Sequence, residues 1–176
     1  GAIATDSYRE TNVPDVYAAG DCAEATHVVT GDPAYVPLAL TANRHGRAVG
    51  ATVAGTPTEG GGVAGTAAVK SFDVEASRTG LFTERAEAAG FDPISRTITT
   101  KSRAGYYPEG GKIDVTLVAD RGTGRVLGGG LVSAYGEGAV HRSHALVGAV
   151  TEGVTVDELA NYDLAYAPPF NTTWDP

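Results

Sequence analysis

The sequence predicts an α+β fold, an antiparallel sheet with helices gathered on one face, and a few stretches carry that prediction. ISRTITTK (Ile94–Lys101) and KIDVTLVA (Lys112–Ala119) alternate apolar and polar residues, as half-buried strands do. DRGTG (Asp120–Gly124) is a hairpin turn that leads into a third strand, Val126–Ala134. Helical patterns follow over Ala139–Val150 and over Thr155–Asn161, the second with a threonine at its cap. Ahead of these, Thr66–Phe72 is strand-like and TERAEAAG (Thr83–Gly90) is a short helix closed by glycine. An antiparallel sheet of this kind needs its second face covered or solvated, and a partner subunit could supply the cover.

The first third of the chain reads differently. Ala2–Ala4 is a short strand fragment, Thr11–Asp15 a turn, and Val16–Ala19 a buried strand stopping at Gly20. From Pro37 the pattern becomes helical, with apolar Leu38, Ala42, Ala48, Val49 and Val53 and a stop at Gly55-Thr56-Pro57. Pro37 suits the first turn of that helix, where its missing N–H costs nothing. The glycine-rich TPTEGGGVAG then reads as a linker, which puts a domain boundary near residue 60 and gives domains 1–60 and 61–176.

Composition narrows the function classes. The 176 residues are 42% hydrophobic, enough for one good core. A net charge of -8, with Lys70, Lys101 and Lys112 the only lysines, argues against nucleic acid as a partner, since little here would neutralise phosphates. The single cysteine, Cys22, forbids an internal disulfide framework and a multi-cysteine metal site. No run approaches the roughly 20 apolar residues that cross a bilayer, so a cytoplasmic protein without membrane association is expected. His141 and His144 stand at i and i+3 without a Glu or Cys at ligand spacing, so no metal site is expected. His27 and His45 read as packing or surface residues.

Three strings, TNVPDVYAAGDCAE, VTGDPAYVPLALTANRHGRAVG and DLAYAPPFNTTWDP, together resemble the flavin-dependent pyridine nucleotide–disulfide oxidoreductases, in the branch of coenzyme A-disulfide reductases and NADH oxidases. The resemblance runs nearly end to end. It implies that residues 1–60 are the C-terminal tail of an α/β FAD-binding domain and residues 61–176 an interface (dimerisation) domain through which a homodimer forms. The flavin fingerprint, the redox cysteine and the nicotinamide domain of that family have no counterpart in these residues. The chain therefore reads as the C-terminal part of a longer enzyme that uses FAD and takes electrons from NADH or NADPH.

The resemblance also implies residue roles. Asp21, presented by Gly20 at a strand's carboxyl end, would accept a hydrogen bond from a ribityl hydroxyl of FAD. The helix beginning at Pro37 would point its positive end at the flavin's pyrimidine edge, with the N–H groups of Leu38 and Ala39 facing the reduced ring. Tyr166, on a segment stiffened by Pro168-Pro169, matches one of two tyrosines that reach the partner's active site; the other is Tyr106 or Tyr107, and the spacing favours Tyr106. Ordinary interface aromatics would explain the same residues without chemistry. The implied substrate is coenzyme A disulfide or a related disulfide or polysulfide, with oxygen as the alternative acceptor. A non-catalytic dimerisation module is the other reading for these residues alone. Cys22, among small apolar neighbours, is expected to be a buried, inert thiol.

Overall fold

The computed structural model describes residues 1–175 and divides into two compact units, the first Gly1–Gly65 and the second beginning at Thr66.

In the first unit regular structure is sparse. Two-residue strands β1 (Ala25–Thr26) and β2 (Pro33–Ala34) form a small hairpin, and one helix, α1 (Ala39–Val53), buries Thr41, His45 and Ala48. The buried strand expected over Val16–Ala19 does not form. Extended backbone becomes a ladder only beside a neighbour, and here Glu10 and Tyr17 meet in one isolated bridge while Val16 stays exposed. Ala2–Ala4 likewise contributes only the Ile3–Ala23 bridge.

The helix also starts later than the sequence suggests. Leu38 is extended (φ -131°, ψ 144°) and caps α1, so Pro37 lies outside the first turn. The Leu38 N–H bonds back to the Val36 carbonyl at 2.9 Å, closing a three-residue turn centred on Pro37. Proline's fixed φ serves that turn instead of the helix.

In the second unit, five antiparallel strands lie in the order β3-β4-β7-β6-β5: β3 (Ala67–Ser71), β4 (Val74–Gly80), β5 (Pro93–Lys101), β6 (Lys112–Asp120) and β7 (Val126–Ala134). A short helix α2 (Thr83–Ala88) joins β4 to β5, and α3 (Ala139–Glu152) and α4 (Val156–Ala160) follow the sheet. Capping explains α4: the Thr155 hydroxyl takes the Glu158 N–H while the Glu158 carboxylate takes the Thr155 N–H, a capping box. The turn between β6 and β7 is fixed by Asp120, which accepts from the N–H (3.0 Å) and hydroxyl (2.6 Å) of Thr123.

Helix α3 packs on β4 and β7, and glycine sets how closely. A methyl at Gly129 would come within 3.0 Å of Leu146 Cδ2 and 2.2 Å of the Thr116 carbonyl oxygen, so the seat under α3 exists only without a side chain. Leu127, Leu131, Ile113, Ala149 and Val150 complete the core. The opposite face presents exposed Val69, Val74 and Val132 beside the cross-strand pair Thr97–Thr116, hydroxyls 2.8 Å apart.

Strand β4 is not visible in the sequence, because its inward residues are polar. Glu75, Ser77 and Thr79 are buried and Val74 is exposed, the reverse of a standard half-buried strand. Glu75 has a reason to be inside. Its carboxylate accepts the N–H groups of Gly138 (2.9 Å) and Gly136 (3.3 Å), capping the entrance to α3, where no residue of the helix's own start supplies a side-chain cap. Burial alone would raise its pKa; the N–H groups of Gly136, Ala139, Val140 and Gly138 outweigh that and hold it below the ordinary carboxylate value.

Candidate functional site

Two groups of residues carry candidate chemistry, one in each unit.

In the first unit, Gly20, Asp21 and Cys22 form a single 3₁₀ turn in which Gly20 takes φ +82°. The turn packs on the start of α1, with the Gly20 Cβ direction 3.5 Å from the Ala42 side chain. Asp21 is therefore exposed next to the N-terminus of α1, and no side chain caps that end of the helix. The N–H groups of Ala39, Leu40 and Thr41 find no acceptor among the described residues, whereas that of Leu38 is taken by Val36. Of the two amides assigned to a ligand, only that of Ala39 is available. An exposed carboxylate beside an uncapped helix end provides both a strong acceptor for hydroxyls and N–H donors for an electron-rich ring edge, which fits the flavin that the resemblance implies.

Cys22 is exposed, not buried; the tight turn tips it outward, and its Sγ–H donates to the Ala19 carbonyl at 3.3 Å. Behind the helix, His45 is fully buried, and burial together with neighbouring Arg9 lowers its pKa, so it stays neutral. The Gly61 backbone lies close enough to oppose that shift, but neither ring nitrogen reaches hydrogen-bond geometry.

In the second unit the structure brings two of the three candidate tyrosines together. The hydroxyls of Tyr106 and Tyr166, sixty positions apart in the chain, are 3.5 Å from each other, at the outer limit of a hydrogen bond. Both rings are open to solvent, Tyr106 77% and Tyr166 43% exposed. Tyr107 makes no such pair; its N–H turns back to the Ala104 carbonyl at 2.8 Å. The hydrogen bond raises the pKa of Tyr106, whereas Tyr166 is lowered, first by Tyr106 and then by the Thr173 hydroxyl.

Local folding explains the juxtaposition. Tyr106 rides on the loop between β5 and β6, whose base is closed by Ser102 N–H to Gly111 O at 3.0 Å. Glu137 reinforces that base by accepting from the Ser102 hydroxyl and from the Gly111 N–H (2.9 Å). The Ser102 bond, the Gly111 N–H and nearby Arg103 and Arg142 hold the Glu137 carboxyl below its ordinary pKa against the opposing effect of burial. Tyr166 sits on a segment folded by buried Asn171, which donates to Ala165 O (2.8 Å) and accepts the Ala167 N–H (3.2 Å). The two pieces meet where the Ala104 N–H reaches Pro168 O at 3.3 Å. Beside them a cleft of about 470 Å³ is lined by Arg103, His141, Arg142, Leu164, Phe170 and Asp175, among others.

His141 and His144 stand edge to face with ring centroids 6.1 Å apart, and no group of three or more metal-ligating side chains occurs among the described residues. Sequence reasoning passes over Arg142, Asp175, Glu137 and Asn171. Their roles depend on partners that only the folded chain assembles, so no spacing signals them.

The second unit is thus a five-stranded antiparallel sheet backed by α3, with a C-terminal segment folded onto the loop between β5 and β6. Residues 66–176 match the family described as pyridine nucleotide-disulphide oxidoreductase, dimerisation domain, and the chain belongs to that family. Its whole length is 40% identical over 176 residues to an NAD(P)H sulfur oxidoreductase (CoA-dependent) of Pyrococcus furiosus, covering 39% of that protein. It is 31% identical over 175 residues to an NADH oxidase of Methanocaldococcus jannaschii, covering 99% of this chain and 38% of the relative. Among solved structures it resembles an NAD-dependent persulfide reductase from A. fulgidus with a TM-score of 0.95 and 38% identity, over 100% of this chain and 32% of the other. The chain thus spans about two fifths of the length of the curated relatives it matches. No described helix is long and apolar enough to cross a membrane.

Proposed function

We propose that these residues are part of a cytoplasmic, FAD-dependent NAD(P)H oxidoreductase that reduces coenzyme A disulfide or a related disulfide or polysulfide, and that residues 61–176 form its homodimer interface. The observation that carries the reading is the Tyr106–Tyr166 hydroxyl pair, open to solvent, with Tyr166 on the Pro-Pro segment and Tyr106 on the loop between β5 and β6. Support for the substrate class comes from the coenzyme A dependence in the name of the Pyrococcus relative.

A bound flavin would supply electron transfer between NAD(P)H and a disulfide-exchanging cysteine. The first unit binds and orients it. Asp21 would accept a hydrogen bond from a ribityl hydroxyl, with Gly20 giving the backbone room to turn. The exposed end of α1, through Ala39 and its neighbours, favours negative charge on the ring. Pro37 and Leu38 shape that end without donating to it.

The second unit manages a proton. When a thiolate attacks a disulfide, the leaving sulfur carries the displaced electron pair as a thiolate. A phenol within reach delivers its proton to that sulfur, and Tyr166, on the segment stiffened by Pro168-Pro169 with its hydroxyl facing that of Tyr106, is that donor. Tyr106 orients Tyr166 and is the nearer to solvent. The exposed Val69, Val74 and Val132 support burial of this sheet face in a dimer.

A second reading, NADH oxidase reducing oxygen, is favoured by the Methanocaldococcus relative. A third makes these residues alone a non-catalytic dimerisation module, favoured by how much of the relatives' length lies beyond this chain. The test is NADH consumption by the full-length protein with coenzyme A disulfide, followed by titration of released thiol. Two thiols per NADH support the reading. NADH oxidation that consumes oxygen and ignores the disulfide would replace it with the oxidase reading.

A further inference from the structure

The two tyrosines come from segments far apart in the chain, and a single side chain touches both supports. Arg142, in the first turn of α3, is 9% exposed at its side chain. One Nη2 donates to the Ser102 carbonyl (2.5 Å), at the base of the Tyr106 loop, and to the Phe170 carbonyl (2.6 Å), just past Tyr166. Nη1 donates to Glu137 O at 2.8 Å, and Nε pairs with the Asp175 carboxylate, also at 2.8 Å. Four hydrogen bonds from one planar group thereby fix the loop, the entrance of α3 and the C-terminal segment in one frame. Asp175 is nearly as well buried as the arginine, 12% exposed at its side chain, so that pair is not a screened surface contact, while Phe170 offers its carbonyl from an exposed residue.

We propose that Arg142 is a positioning residue for the tyrosine pair, setting the distance between the Tyr106 and Tyr166 hydroxyls by clamping their two supporting segments to α3. The inference rests on the tyrosine reading above and deepens it. Besides the Ala104–Pro168 backbone bond, at 3.3 Å a long one, and the tyrosine pair itself, the hydrogen bonds between the segments among the described residues run through this guanidinium. A lysine could keep the charge and one or two of the bonds, but not the planar fork that spans both carbonyls.

The test uses the full-length enzyme with Arg142→Gln and Arg142→Lys, each also made in a Tyr166→Phe background. The difference in phenolate absorbance between each pair isolates the titration of Tyr166. Release of the clamp separates the hydroxyls, so Tyr166 loses its contact with Tyr106 and its titration moves in Arg142→Gln, less so in Arg142→Lys. The kcat for disulfide reduction falls by about 10²-fold while KM for NADH is unchanged, because the defect is one of placement. A Tyr166 titration identical to wild type in a folded Arg142→Gln enzyme overturns the inference. Should that variant not fold, Asp175→Asn serves in its place: it removes one anchor of the C-terminal segment, and an unmoved titration counts against the clamp. If Tyr166→Phe alone leaves turnover intact, the catalytic reading of the tyrosine fails, and the titration still decides what Arg142 does.

Discussion

The two units of this chain are made from similar residues, small, apolar and rich in glycine, yet they are held together in different ways. From Thr66 on, every strand of the sheet finds a ladder partner, and the core of Ile113, Leu127, Leu131, Ala149 and Val150 lies between the sheet and α3. Up to Gly65, a two-residue hairpin, isolated bridges and one helix carry the structure. There the buried groups include Arg9 and His45, and the two histidine nitrogens and Arg9 Nε lack hydrogen-bond partners among the described residues. A sheet with its own core supplies a rigid platform for the tyrosines. The first unit instead offers a turn and a helix end whose polar groups face outward, which suits ligand contact more than self-sufficient stability.

The comparison can be broken most forcefully in the sheet. Leu131→Ala, in the central strand β7, removes a side chain only 1% exposed and should cost about 3 kcal/mol in a urea titration. If it costs little, the core does not lie where the packing puts it. Glu75→Gln comes next, with an expected loss of about 2 kcal/mol near neutral pH, because a charged cap becomes a weaker one. The sign of its pH dependence follows from its depressed pKa. The stability it contributes is complete above the unfolded value of about 4.5 and is lost as the pH falls through the lower folded value. Acid unfolding of wild type should therefore be steeper below about pH 4.5 than that of Glu75→Gln, and parallel curves would refute the cap.

In the first unit the expected effects are on binding. Asp21→Ala in the full-length protein should weaken flavin retention about tenfold, read by absorbance after dialysis, with little change in melting of the sheet. Cys22→Ser should do least of all, leaving disulfide reduction and flavin content as in wild type. Loss of reduction with flavin still bound would make that exposed thiol a participant.

How much of this the sequence discloses depends on which residues carry the signal. Alternation in ISRTITTK and KIDVTLVA marks β5 and β6 within a residue at each end, and Thr155 with Glu158 marks α4, since those patterns act locally. Strand β4 escapes because its inward residues Glu75, Ser77 and Thr79 are polar, and the helix end that Glu75 caps forms only about sixty residues later. The Val16–Ala19 stretch misleads for the opposite reason: apolar residues promise a strand, but only a neighbouring ladder makes one. Pro37 has the look of a helix starter, yet its neighbours use it for a turn, which removes the Leu38 amide from the candidate donors. Tyr106 and Tyr166 are visible as residues, and their meeting is not, because Arg142 and Asn171 arrange it through backbone carbonyls.

The most direct measurement is the rate of NADH-dependent coenzyme A-disulfide reduction by the full-length enzyme, wild type against Tyr166→Phe, with flavin content matched. Loss of a proton donor to the leaving thiolate predicts a fall in kcat of about 10²-fold with flavin reduction by NADH unchanged. Equal turnover by the two enzymes would contradict the account and leave the tyrosine pair as interface packing.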